Sequence, residues 1–384
     1  MIGRLLLAVP LTLWAPACAK KESDSESVAQ PAPTGIDIDD PRACAPCHQA
    51  IVAEWNESMH ARAHHDRDPI YAGIRALRLG KEGAQIAPAC AGCHNPRTDE
   101  LEGTVAKRGV SCATCHNVAA IHAGKSGRAA LQWAEGSVLT GPHDASPEGT
   151  TAHGTGPAAP HLTDGKSMCL VCHAEVKSKA GLPICTTGPE RAAAPEDDQT
   201  CVSCHMPTVD GPSGAFTARK THRSHIFAGP HRAWYQADPG PLKRAVTLTG
   251  TWDKSGLTLR LGNATGHGFP SGFPGRQSIL KTTGHDAAGA PIWSPPPVVL
   301  GKRYEDAAGQ PTLAPWAEKL AKDTRLKPAE KRDIVLTPPD GVVRVETSLS
   351  MRLLPAKLAQ KLKLNDKPEG EPRVIHALSL KKPE

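Results

Sequence analysis

Ten of the chain's twelve cysteines stand in five copies of C-x-x-C-H. These are Cys44, Cys47 and His48; Cys90, Cys93 and His94; Cys112, Cys115 and His116; Cys169, Cys172 and His173; and Cys201, Cys204 and His205. At this chain's Cys and His frequencies the pattern is expected by chance only about 0.02 times. Each copy has the form of a c-type haem attachment site, in which two thiols become thioethers on the porphyrin and the adjacent His supplies the proximal imidazole. Zinc is the first competing reading, because two C-x-x-C pairs can build a Cys₄ site. Zinc does not require a His after every second Cys, and five pairs do not divide into such sites. A redox C-x-x-C beside a βαβ pattern is not seen. A chain of 384 residues is long enough to bury a core without five disulfide staples. The expectation is five covalently attached haem c groups.

The N-terminus points to export. Met1–Arg4 is a short charged start, residues 5–13 are apolar around Pro10, and Ala15-Pro16-Ala17 has the small residues of a cleavage site. The apolar run is too short to span a bilayer, so residues 1–17 are expected to be a signal peptide. Cys18, directly after Ala17, has the place of a lipidated cysteine, and cleavage after Ala17 or Ala19 without lipid is the alternative. Residues 18–40 read as a tether, rich in Ser, Asp, Glu, Ala and Pro. The expected location is the periplasm or outer membrane, with a lipid anchor at Cys18.

The formal charge of +6 argues less for a polyanionic partner than it first suggests. Ten propionates and five ferric irons would bring the oxidised balance to about +1 and the reduced balance to about −4. The basic side chains are therefore partners for propionates, and no basic block with interleaved aromatics marks a nucleic-acid surface.

All five motifs fall before residue 206, about 32 residues per haem. That is too few for separate domains, so the haems must pack on one another. The aromatic content of 4% suits a core filled by porphyrin. The expected fold is α+β. Residues 41–240 form a pentahaem domain of short helices and loops, with helices opening at Asp40-Pro41 and at Asp68-Pro69, the second ending near Gly80. Residues 241–384 form a β-sandwich-like domain. Its strands are expected over 245–251, 257–261, 278–283, 342–349 and 373–380, and its helices over 315–322 and 355–364.

Cys44–Ala61, with its W-x-x-S-x-H-A ending, resembles the first haem segment of the multihaem family that includes the tetrahaem electron acceptor of hydroxylamine oxidoreductase. Gly109–His116 and Cys201–Pro207, the latter followed by His222–His231, are similar to segments of the same family. Asn263–Gly272 and Asp323–Glu330 resemble the β-domain that follows such haem domains. The resemblance implies that His60 is a distal haem ligand. A fifth haem departs from the tetrahaem prototype, so the haem arrangement does not carry over. The C-x-x-C-K variant of pentahaem nitrite reductases is absent.

Eighteen His leave thirteen beyond the proximal five. The metal-ligand candidates are the proximal His48, His94, His116, His173 and His205 and, on the distal side, His60, His225, His231, His122, His153 and His267. His161, His143, His64, His65, His222, His285 and His376 rank lower. Met59, Met168 and Met206 read as packing, as do Trp55 against porphyrin and Trp252 in the β-domain, and Cys185 has no assigned role. His267 lies between glycines, which let backbone approach a flat cofactor, and the expectation is that it reaches back to a haem and welds the two domains. Iron with His on both faces suits electron transfer, and an open face admits a ligand. The expected function is a relay of electrons between redox proteins of the bacterial envelope, such as other cytochromes, a quinol oxidase or a terminal reductase. A haem-based oxidoreductase of a small nitrogen or sulfur compound is the alternative. A third reading, a binding module docking through the β-domain, requires an exposed apolar patch there.

Overall fold

The computed structural model describes residues 35–145, 152–254 and 256–383. The expected signal peptide, Cys18 and most of the tether lie outside the described residues. No helix among them is long and apolar enough to cross a membrane.

The fold is α+β. The N-terminal half is built of short helices because each motif needs only about one turn. Residues i, i+3 and i+4 share a helix face, so one turn turns both thiols and the imidazole the same way. The second to fifth motifs end the helices Ala87–His94, Cys112–His116, Ser167–His173 and Cys201–His205. The first straddles a break between Pro41–Cys44 and α1, Gln49–Glu57. Local caps fix these turns. Asp40 accepts from Arg42 N, Asp164 from Ser167 N at 2.9 Å, and Thr200 and Ser203 form a capping box. The longest helix, α2 at Pro69–Glu82, opens as expected on the Asp68 side chain. It runs past Gly80 to Gly83, whose φ of +89° ends it.

In the C-terminal half two sheets pack face to face, beside a small third sheet of Lys302–Glu305, Pro311–Thr312 and Lys319–Asp323. The first hairpin, β1 (Val246–Asp253) and β2 (Gly256–Asn263), pairs Leu257 with Trp252, and β2 also pairs with β4, Lys331–Leu336. The second sheet centres on β3 (Gln277–His285), β5 (Arg344–Arg352) and β6 (Arg373–Lys381). Leu257, Leu259 and Leu261 of β2 face Leu280, Val345, Leu349, Met351 and Ile375 of the second sheet in one buried cluster. Period-two alternation places them there, and each contributes about 1.5–3 kcal/mol. Trp252 packs partly buried on this cluster. The helix expected over 355–364 is present as Ala356–Lys361.

The helix expected over 315–322 is absent. Ala314–Trp316 makes one 3₁₀ turn and Lys319–Asp323 is a strand. The carbonyls that would continue a helix are already taken: Pro315 O accepts from Lys179 N at 2.9 Å and Ala317 O from the Ser178 hydroxyl at 2.6 Å. These bonds come from the N-terminal half, so a contact distant in sequence overrides local propensity.

The halves share a core. Ile70, Ala233, Trp234 and Leu242 join the sandwich cluster, and Ile184 of the hairpin carrying Cys185 packs with Tyr304, Ala314 and Ala317. Inside the first half, buried apolar residues are mostly small, with Ala61, Ala106, Ala113 and Ala130 almost fully enclosed.

Candidate functional site

Four proximal imidazoles are oriented the same way. The Nδ1 atoms of His48, His94, His116 and His205 lie at 2.6, 2.8, 2.7 and 2.5 Å from the carbonyls of Ser213, Ala63, Thr140 and Ala228. Such a bond fixes the tautomer with the proton on Nδ1 and leaves the Nε2 lone pair for a metal. Burial holds His94, His116 and His173 below the usual imidazole range, and neutral imidazole is the ligating form.

Three proximal rings face a second imidazole. His173 lies opposite His60, His116 opposite His225, and His205 opposite His267, each with ring centroids 6.3 Å apart. Two imidazoles on one metal ion have centroids about 6.3 Å apart, from two metal–nitrogen bonds of about 2.0 Å and two ring radii of about 1.15 Å. The three equal separations match that sum. Burial, reinforced by the neighbouring imidazoles, depresses His60 to about 3 and His225 to about 4. Burial likewise lowers His267.

The second imidazoles are placed by their neighbours. His60 is held by its carbonyl, which accepts from Val110 N at 3.0 Å. Gly109, at φ +66°, lets that strand approach, since a Cβ would meet His60 O at 2.5 Å. Trp55 is buried beside it and donates Nε1–H to Val110 O at 2.8 Å. His225 donates its backbone N–H to Glu54 Oε2 at 2.8 Å and sets its Nδ1 at 2.8 Å from Arg223 O. Phe227 stands edge-on to both His60 and His225.

His267 comes from the loop after β2. Asn263 Nδ2 donates to His267 O at 2.7 Å and to Lys327 O at 2.9 Å, bridging the two segments singled out in the sequence. The flanking glycines also leave room for protein side chains. A Cβ on Gly266 would strike Arg191, and one on Gly268 would strike Arg325 and Glu190. The close approach is thus made by side chains of the clamp between the halves. Its centre is Glu190, on α3 (Thr187–Ala192). Glu190 accepts from Gly268 N at 2.8 Å, Arg325 Nη2 at 2.7 Å and the Thr186 hydroxyl at 2.6 Å.

The remaining sequence candidates face other partners, with His153 within electrostatic reach of His116. His231 Nε2 is bonded to Arg276 Nη2 at 3.0 Å. His122 is exposed at the end of the strand Val118–Ile121, and His153 sets Nδ1 at 2.9 Å from Gly154 O. His64 bonds Leu101 O, His222 bonds Gly211 O and lies 3.3 Å from Glu54, and His376 bonds Val246 O in the sandwich. Among the described residues His48 and His94 show no facing imidazole of the same kind, and Tyr71 stacks on the His94 ring at 3.7 Å.

The thiols arrange the five sites, which the sequence did not reveal. The Cys44 thiol lies beside that of Cys112, Cys93 beside Cys172, and Cys169 beside Cys201. Cys115 also lies within electrostatic reach of Cys169 and Cys172. The first site therefore adjoins the third, and the fourth adjoins the second, third and fifth. No disulfide forms among the described cysteines. Among the described residues the one group of His, Cys, Asp and Glu close enough to hold an ion is His64, His65, Asp66 and Glu102, without cysteine. Paired thiols, each pair backed by an Nδ1-anchored or buried imidazole, fit haem c and do not fit zinc-thiolate sites.

The comparisons agree with this chemistry. Residues 43–117, which hold the first three motifs, match the family described as cytochrome c554 and c-prime. A penta-haem cytochrome c552 from Thermochromatium tepidum superimposes with a TM-score of 0.72 at 24% identity, covering 88% of this chain and 97% of that one. A structural-genomics target shares 12% identity over 36% of this chain and 88% of its own, at a TM-score of 0.16 too low to carry an argument. A search of the curated proteins finds no match. The family match thus covers the first three motifs, and the structural neighbour shows that the fold is shared over most of the chain.

Proposed function

We propose that the chain is a pentahaem c-type cytochrome that relays electrons between redox proteins in the bacterial cell envelope. The observation that carries this reading is the set of three facing imidazole pairs, each 6.3 Å apart. When bound, haem c supplies one-electron redox chemistry, and iron with His on both faces has no position left for a substrate. The residues named above do the rest. Ten cysteines hold the groups, the backbone carbonyls orient the proximal imidazoles, and the small buried residues leave room between the sites. The family match supports haem c, and the five motifs and the pentahaem neighbour support the count.

The location, the lipid anchor at Cys18 and the partners, other cytochromes, a quinol oxidase or a terminal reductase, belong to the same proposal. Mass spectrometry of the denatured protein tests the cofactor: five additions of haem mass are expected, and fewer than four, or zinc instead, would end the reading. The alternative, an oxidoreductase of a small nitrogen or sulfur compound, draws on His48 and His94, whose rings lack a facing imidazole among the described residues. Electron paramagnetic resonance of the oxidised protein separates the two. A dominant low-spin signal supports the carrier, and a substantial high-spin fraction that moves with nitrite or hydroxylamine supports the enzyme.

A further inference from the structure

Away from the facing imidazole pairs, two adjacent histidines meet two carboxylates. His64, His65 and Asp66 lie in the loop between α1 and α2, and Glu102 lies in the loop after the second motif. One donor atom from each of the four side chains lies within 4.8 Å of the other three. His65 Nε2 is 3.2 Å from Glu102 Oε1 and 3.7 Å from Asp66 Oδ1, and His64 Nδ1 is 3.5 Å from the same Asp66 oxygen. A tetrahedral ion with bonds of about 2.0–2.2 Å holds its donor atoms about 3.3–3.6 Å apart. The three separations lie around that edge length.

The hydrogen bonds of His64 give a second, independent reason for a cation. Its Nε2–H donates to Leu101 O at 2.9 Å, and its Nδ1 accepts from Asp66 N at 3.3 Å. These bonds put the proton on Nε2 and a lone pair on Nδ1. That lone pair and the Asp66 carboxylate oxygen are both acceptors, and they face each other with no proton between them. The His64 side chain is only 1% exposed, His65 is partly buried, and Asp66 and Glu102 reach the surface. The cluster thus has a fixed inner donor and an open path for an ion.

We infer that His64 Nδ1, His65 Nε2, Asp66 and Glu102 form a binding site for a divalent transition-metal ion of the zinc class. Two imidazoles and two carboxylates suit zinc and its neighbours, whereas calcium and magnesium require oxygen donors throughout. Lys107 Nζ stands 3.3 Å from Asp66 Oδ2, the oxygen turned away from the histidines, and Arg75 Nη2 stands 3.7 Å from Glu102 Oε1. These cations balance the carboxylates when no ion is bound, so the ion exchanges with solvent instead of being a permanent part of the fold. The site also has a place in the architecture. Ala63, next to His64, carries the carbonyl 2.8 Å from His94 Nδ1, and Leu101, next to Glu102, holds His64. Zinc has no redox chemistry, so its part is to tie together the segments on either side of the second motif and to back the bond that orients His94.

The test uses the full-length haem-loaded protein, stripped with a chelator and titrated calorimetrically with zinc chloride, beside its His65→Ala and Glu102→Gln variants. Crystals soaked in zinc chloride are measured on both sides of the zinc absorption edge, which separates zinc from iron. A zinc peak is expected among the four side chains. Zinc affinity should fall in either variant by at least about tenfold, the least that disturbing a zinc site's ligand shell costs. Calcium chloride should not displace the zinc. No zinc peak at the cluster, or equal zinc affinity in wild type and both variants, would overturn the inference. So would a new high-spin haem signal in His65→Ala by electron paramagnetic resonance, which would assign His65 to iron. Glu102→Gln changes an exposed side chain and keeps the test open if His65→Ala does not fold. The zinc result is read whatever the haem count, so its failure and that of the pentahaem reading are separate.

Discussion

Glu190→Ala tests how the halves are joined. Glu190 gives one oxygen to Arg325 and Thr186 and the other to the amide of Gly268, beside His267. The Glu190 and Arg325 side chains are only 15% and 12% exposed, so the pair is weakly screened by solvent. Hydrogen bonds to a charged group contribute about 1.5–3 kcal/mol each. Arg325 keeps Asp323, bonded at Nε (3.0 Å) and Nη2 (2.8 Å), so the substitution does not orphan its charge. The net cost is therefore about 2–4 kcal/mol, below that of stranding a buried ion. At about 2 °C per kcal/mol, the low end for large chains, the melting temperature should fall by roughly 4–8 °C at pH 7 in calorimetry of the loaded protein. Glu190→Gln, which can still accept from Gly268 N, should lose about half as much. A Glu190→Ala protein that melts within about 1 °C of wild type would refute the clamp.

His267→Ala should convert one haem from low to high spin, read by electron paramagnetic resonance, and loosen the halves, read by limited proteolysis; five low-spin haems with intact docking would make His267 a loop residue. Leu259→Ala, in the sandwich core, should cost about 2–5 kcal/mol in denaturant unfolding, and a loss below about 1 kcal/mol would count against the packed core. Glu82 predicts a pH dependence. Its carboxyl is held below the usual range first by Arg78, against the cost of burial, and it also accepts from Trp316 Nε1 at 2.9 Å. A depressed carboxylate stabilises above its unfolded value of about 4.3 and loses that contribution as pH falls through the lowered folded value. Glu82→Gln should thus be less stable than wild type by about 1–2 kcal/mol at pH 7, with the gap closing as pH drops below about 4. A gap unchanged at pH 3 would count against it.

The sequence was most legible where chemistry or alternation is local. The C-x-x-C-H copies place their own ligands on one helix face, and the leucines of β2 alternate into the core, so both could be read without neighbours. The helix expected over 315–322 failed because Ser178 and Lys179, far away in sequence, claim its carbonyls. The glycines beside His267 were visible, but the side chains they leave room for, Arg191, Glu190 and Arg325, were not. The order of the five sites was illegible for the same cause. Cys44 meets Cys112 across 68 residues, and no spacing rule encodes such a contact.

The sandwich half has a physical part in the reading proposed here. A haem segment of about 32 residues per group cannot bury much apolar surface of its own, and alanines such as Ala61, Ala106, Ala113 and Ala130 are prominent among its enclosed residues. Its short helices carry few internal hydrogen bonds, so they gain little stability from helix formation alone. The two-sheet core supplies what they lack, a rigid body with large side chains fully buried. Three kinds of attachment tie the loops to it: the carbonyls of 315 and 317, the Glu190 clamp, and the imidazole of His267. Each fixes a loop near the fourth or fifth site rather than the first. Disruption of the sandwich should therefore alter those two sites before the first and third, whose Cys44–Cys112 contact lies wholly within the N-terminal half.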